Sequence, residues 1–252
     1  MHRVRIDPGR QVGDIIALPK AEAHYVAHVL RLRAGDELHA FDGAGQLYRF
    51  RLTSVLATTV QGQIMTAVPG GHARPKPLVL GQALAKGAKM DLIVEKCSEL
   101  GLTTLVPLYT ARTVVREVPQ RIGEKVARWQ RIAEAAARQC GRSTLLDLLS
   151  PMTLADFCTH YSAVPVKLVC WEEERQQGLR QVLDRLAGQS PVVVLIGPEG
   201  GLTAQEIAVA RAQGFVPVHL GPYMLRTETA AIAVTSIIRY SLGELEPQGE
   251  GT

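Results

Sequence analysis

The sequence predicts an α/β protein in two parts, and three features of its pattern support this prediction. Residues 2–54 contain short strand-like runs and one helical segment, which is typical of a small β-barrel. From residue 78 onward, continuous apolar runs alternate with helical patterns, which indicates a parallel sheet covered on both faces. Between them, residues 69–77 hold three prolines and two glycines, which cannot sustain a helix or a strand. We therefore expect a barrel over 1–70, a linker over 71–77 and a larger domain over 78–252.

The individual elements follow from the period of the apolar positions and from turn residues. In the first part, the pattern predicts a hairpin turn at residues 42–45, a helix over 20–32, and strands over 2–6, 37–41 and 46–54. In the second part, the predicted strands cover 78–80, 104–108, 166–170, 192–196 and 216–220. The helices expected between and after them cover 90–100, 121–140, 175–186, 204–212 and 228–242.

Composition excludes several classes of protein. With 46% hydrophobic and 21% charged residues, the 252-residue chain has the balance of a globular protein. Its apolar runs fall short of the ~18 residues that span a bilayer, and its first residues do not resemble a signal peptide. The four cysteines stand far apart without a C-x-x-C pair, so we expect reduced thiols and no metal site. These features predict a soluble, cytoplasmic protein.

Positive charge is concentrated near the N-terminus. Residues 1–75 carry 9 lysines and arginines against 6 acidic residues, and they hold five of the seven histidines. The rest of the chain is almost balanced, with 19 basic and 18 acidic residues. This asymmetry indicates an anionic partner for the first part, although so small an excess does not by itself establish nucleic-acid binding.

Two glycine-containing segments follow predicted strands of the second part. The first, LIGPEGGL (195–202), fits neither the dinucleotide nor the P-loop pattern, and Thr203 with Glu206 after it predicts a helix with a capping box. The second, LGPYMLRTETA (220–230), repeats the layout, with Thr227 as the expected cap. Both segments could be structural turns, but two such turns at one end of a sheet would frame a pocket.

Together these segments resemble the RsmE family, bacterial methyltransferases of the SPOUT superfamily that act on a uridine of small-subunit ribosomal RNA. Further support comes from HVLR (28–31), Asp42-Gly43, KGAKMDLIVEKCSELGLTTLVP (86–107) and WQRIAEAAARQCGR (129–142). The resemblance covers nearly the whole chain. It implies an N-terminal PUA-like β-barrel, a C-terminal domain with a deep trefoil knot, and a homodimer.

The resemblance also implies that S-adenosylmethionine binds in the knot and that N3 of a uridine in 16S ribosomal RNA accepts the methyl group. S-adenosylmethionine has no phosphate, which agrees with a site that has no phosphate-binding glycine pattern. By residue, the cofactor site would comprise Leu195, Ile196, Gly197, Glu199, Gly200, Gly201, Leu220, Gly221, Leu225, Arg226, Thr227, Thr229 and Ala230. Arg226 is the candidate to stabilise charge on the uracil oxygens, and Glu199 and Glu228 are the candidate bases.

Basic residues that the resemblance assigns to RNA lie on both parts of the chain. The predicted RNA contacts are Arg5, His24, His28, Arg31, Arg112, Arg116 and Arg142. Arg142 ends a stripe on the predicted long helix that includes Arg128, Arg131 and Arg138, although many relatives place an acid at position 138. Such a stripe, like the His24–His28 pair, could also be an ordinary solvated face.

Two alternatives remain open at this stage. The chain could be a non-catalytic RNA-binding factor for ribosome assembly that kept the fold, although the two intact loop segments argue against this. It could also methylate a different RNA target, such as a transfer-RNA ribose. Identifying the nucleoside that the protein methylates separates all three hypotheses.

Overall fold

The chain divides into two compact units in the computed structural model, which describes residues 2–68, 74–113, 119–185 and 188–246. Unit 1 comprises Met1–Arg74 and Glu134–Leu145, and unit 2 comprises Pro75–Ala133 and Leu146–Thr252. The division after Arg74 falls inside the predicted linker. However, Glu134–Leu145, which the sequence places in the second domain, groups with unit 1, because Ala137 packs with Phe41 and Leu47.

Unit 1 contains a five-stranded sheet. Its strands are β1 (Arg3–Arg5), β2 (Ile15–Ala17), β3 (Glu37–Phe41), β4 (Leu47–Val55) and β5 (Val60–Ala67). They lie in the order β1-β3-β4-β5-β2, with β1 parallel to β3 and the other pairs antiparallel. Sequence analysis missed β2, which is only three residues long, and β5, which Gly62 interrupts. Gly62 is required because a methyl group there would lie 2.4 Å from the Phe50 ring.

The helix of unit 1 is irregular. Helix α1 (Lys20–His24) continues as a π-helical turn (Tyr25–Val29), and the Leu30 N–H donates to the carbonyl of Tyr25 at 2.9 Å. The predicted helix over 20–32 is therefore wrong in its last turns. Directly after the π turn, Arg31 has a left-handed backbone with φ +55°, which is uncommon for a residue other than glycine.

Unit 2 is built on a parallel sheet, as predicted. Its strands are β6 (Leu78–Ala83), β7 (Thr104–Tyr109), β8 (Asp147–Leu148), β9 (Met152–Thr153), β10 (Val166–Cys170), β11 (Val192–Ile196) and β12 (Val216–Val218). Their order is β12-β10-β11-β6-β7-β8, with β9 also paired to β7, and every pair is parallel. The trefoil knot that the resemblance implies stays a prediction.

Helices accompany these strands in the alternating order that the sequence predicts. They are α2 (Lys89–Glu99), α3 (Pro119–Cys140), α4 (Leu154–His160), α5 (Leu179–Arg185), α6 (Ala204–Ala212) and α7 (Thr227–Ser241). Sequence analysis missed α4, whose N-cap Thr153 accepts a hydrogen bond from the Asp156 N–H at 3.1 Å. It also started α5 four residues too early and extended β12 two residues too far. Among the described residues, no helix is long and apolar enough to span a membrane.

Both faces of the parallel sheet are buried. Along β11, Val192, Val194 and Ile196 join one apolar cluster, whereas Val193 and Leu195 join another. This alternation explains why the strand is a continuous apolar run in sequence. Because both faces are filled by apolar packing, polar chemistry in unit 2 belongs to the loops at the ends of the strands.

Candidate active site

The two loops singled out in the sequence meet at the carboxyl edge of the parallel sheet. One follows β11 and holds Gly197–Gly201, and the other follows β12 and leads into α7. A direct hydrogen bond joins them, because the Thr227 hydroxyl donates to the carbonyl of Gly197 at 2.7 Å. A third loop, between β6 and α2, lies beside them because β6 pairs with β11, and Gln82 stands opposite Ile196.

The glycines of the first loop are set by close packing. Gly201 has φ +71°, and a methyl group there would lie 1.9 Å from the Oε1 atom of Glu172. At Gly197, a methyl group would lie 2.9 Å from the Cγ atom of Leu202. The helix after this loop begins with the predicted capping box between Thr203 and Glu206. The loop is therefore a tightly constrained turn that can present its backbone to a ligand.

Thr227 has a different role from the predicted one. The sequence predicts it as the cap of α7, but Arg226 occupies the N-cap position and makes no side-chain cap bond. Thr227 is instead the first residue of the helix, and it is buried. Its hydroxyl accepts a hydrogen bond from Nε2 of Gln82 at 2.9 Å and donates to Gly197. The prediction is wrong because a tertiary partner takes the hydroxyl that a cap would use.

Glu199 is held by the loop between β6 and α2. Its Oε1 atom accepts hydrogen bonds from the Lys86 N–H at 3.0 Å and from Nζ of Lys89 at 2.9 Å. Partial burial raises the pKa of Glu199, but the bonds from Lys89 and the backbone N–H groups outweigh it, so the pKa lies below its ordinary value. The carboxylate of Glu199 is thus ionised and hydrogen-bonded to Lys86 and Lys89.

The hydrogen bonds from Lys86 and Lys89 to Glu199 make a pH-dependent contribution to stability. Because the pKa of Glu199 is lower in the folded chain than in the unfolded chain, this stability is present above the ordinary pKa of about 4.3. It is lost as the pH falls through the folded value. We expect Glu199→Gln to cost about 1 kcal/mol of unfolding free energy at pH 7 and less below pH about 4. Urea titration at both pH values measures this, and an equal loss at each would contradict it.

Glu228 also lies close to Lys89. Its Oε2 atom is 3.7 Å from Nζ of Lys89, and its side chain is only 12% exposed. Among the described residues, no hydrogen-bond partner reaches this buried Oε2 atom. Buried carboxylate oxygens are normally hydrogen-bonded, so this atom is available to a donor from a bound molecule. Of the two predicted bases, Glu228 is therefore the one with a buried oxygen that accepts no hydrogen bond from the described residues.

The remaining predicted cofactor residues fall into two groups. Leu195, Ile196 and Ala230 are buried in the core, so any contact to a ligand would come from their backbone. Exposed positions of the second loop and the start of α7 include Gly221, Arg226 and Thr229, and the neighbouring Tyr223 and Met224 side chains are more than 80% exposed. Leu220 and Leu225 are partly buried against the core. Gly200 is exposed, and its carbonyl accepts a hydrogen bond from Arg112 at 2.7 Å.

A cavity of about 260 Å³ lies next to this region. Its walls come from the loop after β6, from α2 and from α3, and the lining residues are Leu84, Ala85, Gly87, Ala88, Asp91, Lys125, Arg128 and Trp129. None of the predicted cofactor residues is among those that line it. Both oxygens of Asp91 are already used, by Arg128 at 2.6 Å and by Nε1 of Trp129 at 3.1 Å. The cavity is therefore separate from the joined loops.

Two predicted RNA contacts, Arg5 and Arg142, and Arg138 of the predicted basic stripe have protein partners. Arg5 forms an ion pair with Glu134 in unit 1, and Arg138 forms one with the buried Glu22. Arg142 is buried, and its Nη2 atom donates to the Thr144 hydroxyl at 3.2 Å. These placements favour structural roles for the three arginines. The sequence could not reveal these partners, because a basic residue on a helix looks the same in sequence whether its side chain is solvated or paired with an acid.

Other predicted RNA contacts remain at the surface. His24, His28 and Arg31 are exposed on unit 1, and the two imidazole rings have centroids 4.7 Å apart. Arg112 is exposed but donates to the first loop at the carbonyl of Gly200. Arg116 lies outside the described residues.

The cysteines are free thiols, as the sequence predicts. Burial raises the pKa of Cys97, Cys158 and Cys170 to about 12. A thiol with so high a pKa has almost no reactive thiolate at neutral pH. Sequence analysis did not identify Gln82, Lys86 or Lys89 as site residues. The signals that could have found them were a polar residue inside an apolar strand, at Gln82, and the position of Lys86 and Lys89 in the segment 86–107 that carries the resemblance.

Comparison with known proteins gives matches to both units of the chain. Residues 72–239 match the family model of an RNA methyltransferase domain, and residues 18–64 match that of an RNA methyltransferase PUA domain. Ribosomal RNA small subunit methyltransferase E of a Synechocystis strain is 34% identical over 91% of this chain and 74% of its own. The Bacillus subtilis protein of the same name is 29% identical, with 87% of each chain covered.

Solved structures give the same result. Ribosomal RNA small subunit methyltransferase E from Neisseria gonorrhoeae, bound to S-adenosylmethionine, is 30% identical with a TM-score of 0.85 and covers 95% of this chain and 97% of its own. A Legionella pneumophila protein in complex with the same cofactor is also 30% identical, with a TM-score of 0.87 and the same coverage. Fold, loops and both family models agree, and the chain belongs to the ribosomal RNA small subunit methyltransferase E family of RNA methyltransferases.

Proposed function

We propose that this protein transfers a methyl group from S-adenosylmethionine to N3 of a uridine in the RNA of the small ribosomal subunit. The observation that carries the proposal is the bond between Thr227 and Gly197, which joins the two characteristic loops into one site at the carboxyl edge of the sheet. The family relationship and the cofactor in two solved relatives support it.

The residues present fit this cofactor. When bound, S-adenosylmethionine supplies a methyl group on a positively charged sulfur. Gly221 of the second loop is exposed, and a methyl group there would meet no atom within 4 Å, so the backbone around it is open to a ligand. The backbone of residues 195–201, 220–221 and 225–230 would hold the cofactor, because the side chains of Leu195 and Ile196 are turned into the core.

We infer that Glu228 takes the N3 proton. Methylation replaces that proton, and a general base must be able to accept it. Glu199 already accepts two hydrogen bonds, and its pKa lies below its ordinary value, so it is a poor base and a good anchor. Glu228 also lies near Lys89, and one of its oxygens has no hydrogen bond to the described residues.

The side chain of Arg226 is suited to stabilising the negative charge that the uracil gains when it loses its proton. It is exposed at the start of α7, two residues before Glu228, and its positive charge repels that of Lys89. As the N3 proton leaves, negative charge develops on the uracil oxygens, and a guanidinium can stabilise it. N3 lies on the pairing edge of uracil, so the uridine must be unpaired or flipped out to reach these side chains.

A labelling experiment tests the proposal directly. The protein is incubated with S-adenosylmethionine carrying a labelled methyl group and small ribosomal subunits that lack the modification. The RNA is then digested and the labelled nucleoside identified. Labelled N3-methyluridine is the expected result. Label in a ribose or in another base would overturn the target, and cofactor binding without any label would support the assembly-factor alternative.

On unit 1, we infer that the exposed group of His24, His28 and Arg31 contacts RNA phosphates. His24 ends α1 and His28 lies in the π-helical turn that follows, their rings are in contact, and Nε2 of His28 lies 3.0 Å from the Ala57 carbonyl. Helical irregularities of this kind frequently occur at functional sites. The positive charge excess of residues 1–75 favours the same partner.

Arg31→Asn tests this RNA surface. Asparagine tolerates the left-handed backbone of position 31, so the change removes charge with little strain. We expect weaker RNA binding and a salt-dependence slope reduced by about 0.7–0.9, the value for one lost phosphate contact. Filter binding over a series of salt concentrations measures the slope. An unchanged slope would exclude a phosphate contact, and Arg180→Asn on the exposed face of α5 is a matched control.

We also propose that the protein forms a homodimer through unit 2. Large apolar side chains of α7 and α2 are exposed, among them Ile237, Tyr240 and Leu92, and these two helices pack together. Ala231, Val234 and Ile238 of the same helix are buried in the core, so they are not part of this exposed surface. Sedimentation velocity gives the mass, and a monomer at micromolar concentration would contradict the proposal.

A further inference from the structure

We propose that Gln82 is a positioning residue for S-adenosylmethionine. It acts through the hydroxyl of Thr227, which in turn fixes the carbonyl of Gly197. This inference rests on the proposed function, in which the two loops bind the cofactor. It assigns a role to a residue of β6, a strand outside both characteristic loops.

Gln82 occupies an unusual position for a polar residue. All six residues of β6 are buried, and Gln82 itself is 0% exposed. It stands near the carboxyl end of the strand, directly opposite Ile196, the last residue of β11. The chain continues from Ile196 into Gly197. The amide of Gln82 is thus buried beside the point where the first cofactor loop begins.

The hydrogen bonds fix the direction of the amide. Nε2 donates to the carbonyl of Ala83 at 3.0 Å and to Oγ1 of Thr227 at 2.9 Å. If the amide were reversed, its oxygen would face the Ala83 carbonyl, and two acceptors would oppose each other. The Thr227 hydroxyl has a single proton, which goes to the Gly197 carbonyl at 2.7 Å. The bonds therefore run in series from Gln82 through Thr227 to Gly197.

This series connects the two loops through one buried chain of bonds. Thr227 belongs to the start of α7, and Gly197 to the turn after β11, so their separation depends on the shared hydroxyl. Without Gln82, the hydroxyl would lose its donor and be free to rotate away from Gly197. A cofactor held by backbone groups of both loops requires those groups in fixed positions, because misplacing either weakens binding.

An apolar residue would serve packing in β6 better. The Oε1 atom of Gln82 has no partner among the described residues, and a buried acceptor without a donor is unfavourable. Keeping an amide at this position is thus unfavourable for stability alone. A role in ordering the cofactor loops accounts for it.

A double-mutant cycle tests the inference. The variants are Gln82→Met, Thr227→Val and the two changes together, with the dissociation constant of S-adenosylmethionine measured by calorimetry. Each single change is expected to weaken binding about tenfold, the loss of one buried hydrogen bond. Because the bonds act in series, the double variant should also be about tenfold weaker, and not a hundredfold. Thr227→Ser keeps the hydroxyl and should restore binding.

Thr235→Val is the matched control. Thr235 is also buried in α7, but its hydroxyl faces Sγ of Cys97 at 3.6 Å. It should alter the melting temperature without altering cofactor affinity. Wild-type affinity in Gln82→Met, or a hundredfold loss in the double variant, would overturn the inference. If Gln82→Met does not fold, the contrast between Thr227→Val and Thr227→Ser still decides whether the hydroxyl matters. Failure of the wild-type protein to bind the cofactor would instead overturn the proposed function.

Discussion

Arg226→Ala is expected to lower kcat for methyl transfer by about 10²–10³-fold, the usual cost of losing one group that stabilises developing charge. The side chain of Arg226 is exposed beside the joined loops, and it makes no cap bond to α7. Its removal should therefore leave the fold and the cofactor dissociation constant close to those of the wild-type protein. The measurement is single-turnover methyl transfer to small ribosomal subunits, with cofactor binding followed by calorimetry.

Arg226→Lys separates charge from geometry. Lysine keeps the positive charge but lacks the planar guanidinium, which can donate hydrogen bonds to two oxygens at once, so an intermediate rate is expected. If Arg226→Ala instead weakened cofactor binding as much as it lowered kcat/KM, the guanidinium would act on the cofactor and not on the uracil. A rate equal to the wild-type rate would remove Arg226 from the catalytic machinery.

The parallel sheet of unit 2 could be predicted from sequence because its strands are buried on both faces. A run such as Val192–Ile196 has no polar position, and turn residues follow it directly. Short or interrupted elements gave no comparable signal. The two-residue strands β8 and β9 are defined only by their pairing with β7. Gly62 weakens the pattern of β5, although it is required by the Phe50 ring.

The site shows the same contrast. The loops at 195–202 and 220–230 stand out because glycines and polar residues follow apolar strands. The residues that hold them do not stand out, since Gln82, Lys86 and Lys89 act through contacts more than 100 residues distant in sequence. Sequence also could not separate the two predicted bases. Only the bonds from Lys86 and Lys89 to Glu199 distinguish it from Glu228.

Arg239→Ala is expected to lower the unfolding free energy by about 3–5 kcal/mol, the usual cost of removing one partner of a buried ion pair. Arg239 is 1% exposed and forms an ion pair with Glu244. It also donates to the carbonyl of Lys76 at 2.7 Å and to that of Gly101 at 2.6 Å. These bonds tie the end of α7 to the chain before β6 and to the turn after α2. Urea denaturation measures the loss.

The guanidinium contributes through its shape as well as its charge. Burial lowers the pKa of Arg239 and the neighbouring Glu244 raises it, so the ion pair counteracts part of the desolvation cost. Lysine carries its three N–H donors on a single nitrogen and cannot reach acceptors that Arg239 contacts from two different nitrogens, so Arg239→Lys should recover only part of the lost stability. Arg180→Ala removes the exposed pair with Asp184 and should change stability by less than about 0.5 kcal/mol. Equal effects at positions 180 and 239 would contradict this explanation, because the same charge is removed and only the buried acceptors differ.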